Sequence, residues 1–231
     1  MELSVQPALV LGRTPQGERA VVLRLWLRDA GLWSAYIPSL RSAAGGFRPA
    51  MAQPLSSLEV VPARGRGTLG RIKEARLQPV WRKLHDEPVA QMLVMYASEV
   101  LRRVLHDGSA NAAFFDEARQ MLEDWDRPET SLATAPLDWT LMLCRHLGFE
   151  LEAPEASHWL FYPAEGQWAP LGSFASSACT PSESAALAAA LHGEPLTRSA
   201  RNEALDALLA YLEAQHPGWG QLKSLDVLRS L

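Results

Sequence analysis

Arg24, Trp26 and Arg28 stand at alternate positions of one apolar run, two guanidinium groups flanking an indole. Guanidinium forks onto phosphate oxygens and an indole offers a face on which a base can stack, so the set suits single-stranded nucleic acid. Between and beside them, Val21, Leu23, Leu25 and Leu27 are uniformly apolar. Successive side chains on a strand point to opposite faces, so one face fills a core while the other displays the Arg-Trp-Arg set. A second reading fits the same spacing: Trp26 packs beneath a neighbouring domain and the arginines border it.

Two further basic groups lie nearby. Arg41-Ser42-Ala43-Ala44-Gly45-Gly46-Phe47-Arg48 puts two arginines and an aromatic on a glycine-bearing connection, a loop able to close over a nucleic-acid strand. Arg64, Arg66, Arg71, Lys73 and Arg76 form the other, interrupted by Glu74. Each is an ordinary surface charge alone; the clustering carries the argument.

Catalytic patterns are missing. There is no P-loop, no Gly-x-Gly-x-x-Gly after a strand, no Gly-x-Ser-x-Gly elbow and no His-Glu-x-x-His. The six histidines are scattered, and Cys144 and His146, two apart on an expected helix, point in different directions. Two cysteines are too few for a disulfide framework or a four-cysteine zinc site, so a reducing compartment, no metal and no cofactor are expected. No apolar stretch reaches the roughly 18–20 residues of a membrane span and the N-terminus lacks a secretory pattern, which together point to the cytosol. A non-catalytic binding protein is the expectation.

The elements that must position these residues change character once along the chain. Residues 1–80 hold eleven Lys/Arg against five Asp/Glu, whereas residues 81–231 hold eleven against twenty-one, so a basic working surface on the first part is implied. Strands are expected at 4–12, 19–28, 32–38, 55–62 and 68–78, five in a span that suits a small barrel of the oligonucleotide-binding (OB) type, or an SH3-like barrel.

From residue 81 the period is helical. Asp86-Glu87-Pro88 reads as the cap and first turn of one helix, Asn111 caps a second, a third runs from Leu137 to Gly148, and Thr180-Pro181 opens a fourth. Leu205 to Leu212 line a fifth and Leu222 to Leu231 a terminal helix. Between the third and fourth, residues 152–177 read as an inserted hairpin around Pro163 to Gly166. The expected fold class is α+β: a barrel domain at 1–80, then a helical domain at 81–231.

The segments Leu9 to Arg19, Gly31-Leu32, Leu40-Arg41-Ser42, Gln53 to Glu59, Leu69 to Ala75, Asn111 to Phe115, Leu147-Gly148-Phe149 and Leu222 to Leu228 resemble, in that order, those of the bacterial RecO family. The resemblance implies an OB-fold followed by a helical domain, and a DNA repair and recombination mediator of the cytoplasm and nucleoid. It implies binding of single- and double-stranded DNA and annealing of complementary strands. It further implies that, with RecR, the protein helps load recombinase onto strands coated by single-strand-binding protein. It adds Arg13 and Arg19, within the matching segments, to Arg24, Trp26, Arg28, Arg41, Phe47, Arg48, Arg71 and Lys73 as nucleic-acid contacts. Arg102, Arg103 and Arg145 become the candidates for receiving the acidic C-terminal tail of single-strand-binding protein.

The sequence departs from many family members in lacking a four-cysteine zinc module, since residues 152–177 contain no cysteine. A small apolar core from Trp159, Phe161 and Trp168 is expected in its place. The competing class is a protein-binding adaptor whose arginines serve acidic peptide tails.

Overall fold

The computed structural model describes residues 4–40, 47–63, 69–106, 108, 110–156, 158–216 and 219–229. The chain divides into two compact units, residues 1–130 and 131–231.

The first unit is built on five antiparallel strands, β1 (Gln6–Gln16), β2 (Ala20–Leu27), β3 (Gly31–Ile37), β4 (Ser57–Ala63) and β5 (Arg71–Leu77), in the order β3-β2-β1-β4-β5. Gly17 and Gly31, both at positive φ, turn the chain into β2 and β3, a conformation glycine adopts without a Cβ penalty. Alternation holds on β2: Val21, Leu23, Leu25 and Leu27 enter a core with Ala8, Val10, Ile37, Leu58 and Val60. The edges meet where Ala35 and Gly70 form a parallel bridge, with Tyr36 N donating to Gly70 O at 3.0 Å and Gly70 N donating to Ser34 O at 2.9 Å. This strand order, with β3 brought beside the start of β5, is the arrangement of an OB-type barrel. Residue 70 must be glycine there: a Cβ would lie 1.9 Å from Cζ2 of Trp33.

The same unit continues past the strands into α1 (Lys83–Asp86), α2 (Pro88–Val104) and α3 (Ala112–Trp125). Asp86 ends the one-turn α1 and Glu87 occupies the N-cap of α2, so the start of the long helix lies one residue later than the Asp86 cap the sequence suggested. Asn111 caps α3 as expected, accepting from Phe114 N at 3.0 Å. The Asp126 carboxylate, just beyond α3, accepts from Arg82 N at 2.9 Å and Leu84 N at 3.0 Å, and Lys83 Nζ donates to Thr130 O at 2.7 Å. These bonds lock the barrel-to-helix connection to the end of α3. Helix α2 is pinned to the barrel by a buried bond from Ser98 Oγ to Leu11 O, 2.8 Å.

The second unit contains α4 (Ala135–His146), the hairpin β6 (Leu160–Tyr162) and β7 (Gln167–Ala169), α5 (Pro181–Leu191), α6 (Arg198–Gln215) and α7 (Lys223–Arg229). Thr180 and Glu183 close a capping box at the start of α5, and Gly148 and Gly193 follow α4 and α5 at positive φ, as the sequence signals require. The hairpin is held by an aromatic cluster whose membership differs from expectation. Phe161 is fully buried, 5.5 Å from the Tyr211 ring of α6 and 5.1 Å from Trp168, and Tyr162 packs on Phe174 at 5.0 Å. Trp159 is instead half-buried and lines an open groove with Trp168, Glu150, Glu152 and Glu155. Tyr211 takes its place in the core, entering from a helix fifty residues away that hairpin periodicity could not reveal.

Candidate nucleic-acid interface

The outer face of the β1-β2-β3 ribbon is set by register. Leu9 lies opposite Trp26 and Leu32, Gly12 opposite Arg24 and Ser34, and Thr14 opposite Val22 and Tyr36. Directly paired residues on antiparallel strands share a face. Each of these three rows therefore presents together, and the rows have different surroundings.

The Trp26 row is closed. Trp26 is fully buried, its ring 4.7 Å from Phe114 and 5.1 Å from Phe115, both edge-on, on the first turn of α3. It packs under helix α3 of the same unit and cannot stack on a base, which corrects the assignment of Trp26 as a nucleic-acid contact; the second reading had placed a neighbouring domain over it. Its neighbour Arg28 is also committed, donating from Nε and Nη2 to Asp116 at 2.7 and 2.6 Å and from Nη1 to Asp29 at 2.9 Å. This fork holds the Asp116 carboxyl below the usual carboxylate range. A phosphate approaching Arg28 would have to displace two carboxylates.

The next two rows are open. Arg24 is exposed and unpaired among the described residues, and Ser34 and the exposed Tyr36 stand beside it on β3. Tyr36 is the aromatic that sequence reasoning missed. The signal was present: Gly31 turns the chain so that β3 pairs back on β2, placing Leu32, Ser34 and Tyr36 on the face of the even β2 positions.

The remaining candidates distribute around this face. Arg13 is exposed opposite the inward Leu23, hence on the other side of the ribbon from Arg24, and Arg19 is exposed at the β1-β2 turn. Phe47 is buried in the barrel core with Met51 and Ala52, so it anchors the β3-β4 connection and does not stack on bases, a second correction. Arg48 beside it is exposed; Arg41, Arg64 and Arg66 lie outside the described residues. Arg71 and Lys73 are exposed on β5, Lys73 at the register shift opposite Val61 and Pro62, while Arg76 is paired with Glu59 across the strands. Among the arginines assigned to a protein partner, Arg103 bonds Glu99 at 2.9 Å and Arg102 is exposed on α2; Arg145 is exposed on α4 of the second unit.

Residues 1–79, which contain every strand of the barrel, match the family described as Recombination protein O N terminal. Similarity extends well beyond the barrel: the DNA repair protein RecO of Christiangramia forsetii is 26% identical over 97% of each chain. That of Porphyromonas gingivalis is 24% identical over 98% of each chain. Similarity to RecO proteins thus runs through nearly the whole chain. The RecO of Flavobacterium psychrophilum, 25% identical over 73% of this chain and 71% of its own, adds a further relative. Each of these relatives is named as a DNA repair protein.

The chain's two thiols are both buried. Burial pushes the thiols of Cys144 and Cys179 up to about 12 and about 11, where neither is a thiolate at neutral pH. Among the described residues there is no cluster of three or more His, Cys, Asp or Glu able to hold a metal, and no helix long and apolar enough to cross a membrane. Arg24 and Tyr36 share one open β face, a cation and an aromatic of the kinds that suit a phosphate and a base.

Proposed function

We propose that this protein is a non-catalytic recombination mediator of the cytoplasm and nucleoid. It binds single- and double-stranded DNA through the open rows of its barrel, anneals complementary strands, and acts with RecR to help load recombinase onto strands coated by single-strand-binding protein. The observation that carries the DNA-binding part is the exposed Arg24-Tyr36 face, with Arg13, Arg19, Arg48, Arg71 and Lys73 exposed elsewhere on the barrel. Annealing brings two phosphate chains together against their mutual repulsion, and a cation-bearing barrel lowers that barrier. The relatives named as DNA repair proteins support the biological setting. Arg102 and Arg103 on α2 and Arg145 near the C-terminal end of α4 are the candidates for receiving an acidic protein tail.

Fluorescence anisotropy with labelled oligothymidylate over a salt series, followed by annealing of a labelled strand to its complement, tests the reading. Affinity that falls steeply with salt, together with faster annealing than the strands achieve alone, is expected. No binding at low salt would transfer the basic face to acidic peptides and refute the DNA reading.

A further inference from the structure

Gly12 sits where the pairing of β1 with β2 shifts register, directly opposite Arg24. From the helical side, the Arg102 guanidinium of α2 lies over the same residue: a Cβ at Gly12 would be 3.2 Å from Nη1 of Arg102 and 3.8 Å from its Cδ. The missing side chain lets the guanidinium lie directly on the strand. Cross-strand neighbours are separated by about 5 Å, so the stem of Arg24 stands one strand spacing from the point that Arg102 reaches.

Neither arginine has a counter-ion among the described residues. Glu99, one turn before Arg102 on the same helix, bonds Arg103 at 2.9 Å, and Asp116 and Asp29, which border the outer face, are bound to Arg28. Elsewhere in this unit closely placed charges are matched, as Arg28 is by Asp116 and Arg76 by Glu59. Two like charges on either side of one glycine repel unless an anion lies between or along them. Ser34, opposite Arg24 on β3, adds a hydroxyl donor on the same row.

We infer that Arg102 and Arg24 form a phosphate site astride Gly12, so that the backbone of a bound strand crosses β1 there and helix α2 forms one wall of its path. The inference rests on the DNA-binding reading above. It moves Arg102 from a protein-partner role to the nucleic-acid interface, and it makes that interface a joint product of barrel and helix. Tyr36, one row further along the same face, is then placed to stack on a base of the strand held at this site.

The test is the salt dependence of binding to labelled oligothymidylate by the full chain, as wild type, Arg24→Gln, Arg102→Gln and the double variant. Each phosphate contact to a single strand contributes about 0.7 to the slope of log affinity against log salt. Each single variant is expected to flatten the slope by about 0.7 and the double variant by about 1.4, with unchanged melting temperatures because both side chains are exposed. Arg102→Lys keeps the charge and is expected to retain the slope. Arg198→Gln, which removes an exposed arginine from the second unit, is expected to leave the slope unaltered. Wild-type slope in Arg102→Gln would overturn the site while leaving DNA binding in place, as would an equal loss in Arg198→Gln, which would mark a mere net-charge effect. Absence of salt-dependent binding by the wild type would instead overturn the reading on which the site rests.

Discussion

The two ends of the outer face of β2 carry similar chemistry and are used differently. At one end Trp26 is sealed under Phe114 and Phe115, with Arg28 held by Asp116; at the other, Arg24 stands open beside Ser34 and Tyr36. Helix α3 makes the difference. Its first turn lays two phenyl rings on the indole and, with the very next residue, a carboxylate on the guanidinium. An arginine-aromatic pair on a strand thus says nothing by itself about binding; what covers it decides whether it is cement or interface.

The comparison breaks most visibly at the closed end. Trp26→Ala removes a fully buried indole and is expected to destabilise the protein by about 3–5 kcal/mol, read from denaturant unfolding. Loss of DNA affinity without loss of stability would reopen the case for base stacking by Trp26. At the open end the signs reverse. Tyr36→Ala is expected to weaken binding to single strands by about 1–3 kcal/mol, one stacked base, while leaving the unfolding midpoint nearly unchanged.

Smaller effects sharpen the same contrast. Arg28→Gln is expected to leave the salt slope of binding unaltered, since Asp116 and Asp29 already neutralise that guanidinium. Asp116→Asn releases Arg28 and is expected to raise DNA affinity slightly. The pH dependence follows from the depressed Asp116 carboxyl: its ion pair contributes fully above 3.8, the unfolded reference, and its stabilisation is lost as pH falls through the lower folded value. Acid titration of unfolding in Asp116→Asn should lack that low-pH component and otherwise follow the wild type.

Local patterns were legible where the physics is local. Five strands, the inward set Val21 to Leu27, the Asn111 cap and the Thr180-Pro181 opening follow from alternation and capping chemistry within a few residues. The fate of Trp26 depends on Phe114 and Phe115, nearly ninety residues away, and that of Arg28 on Asp116, so nothing near them in sequence could distinguish core from interface. The same holds for Phe47, whose glycine-flanked setting suggests an exposed loop although the barrel end had space for its ring. The unit boundary was hidden for a related reason. Period changes near residue 81, yet Ser98, Asp126 and the α3 aromatics bind the following helices to the barrel side of the division at 130.

The contrast also extends to charge. Residues 1–130 carry seventeen Lys/Arg and fifteen Asp/Glu, whereas residues 131–231 carry five and eleven. The acidic character of the second unit disfavours polyanion binding there.

The most direct test of the central claim is a side-by-side salt titration of oligothymidylate binding by Arg24→Gln and Arg28→Gln. A slope flattened by about 0.7 is expected for Arg24→Gln and a wild-type slope for Arg28→Gln. The reverse pattern, with Arg28 carrying the salt dependence and Arg24 silent, would contradict it.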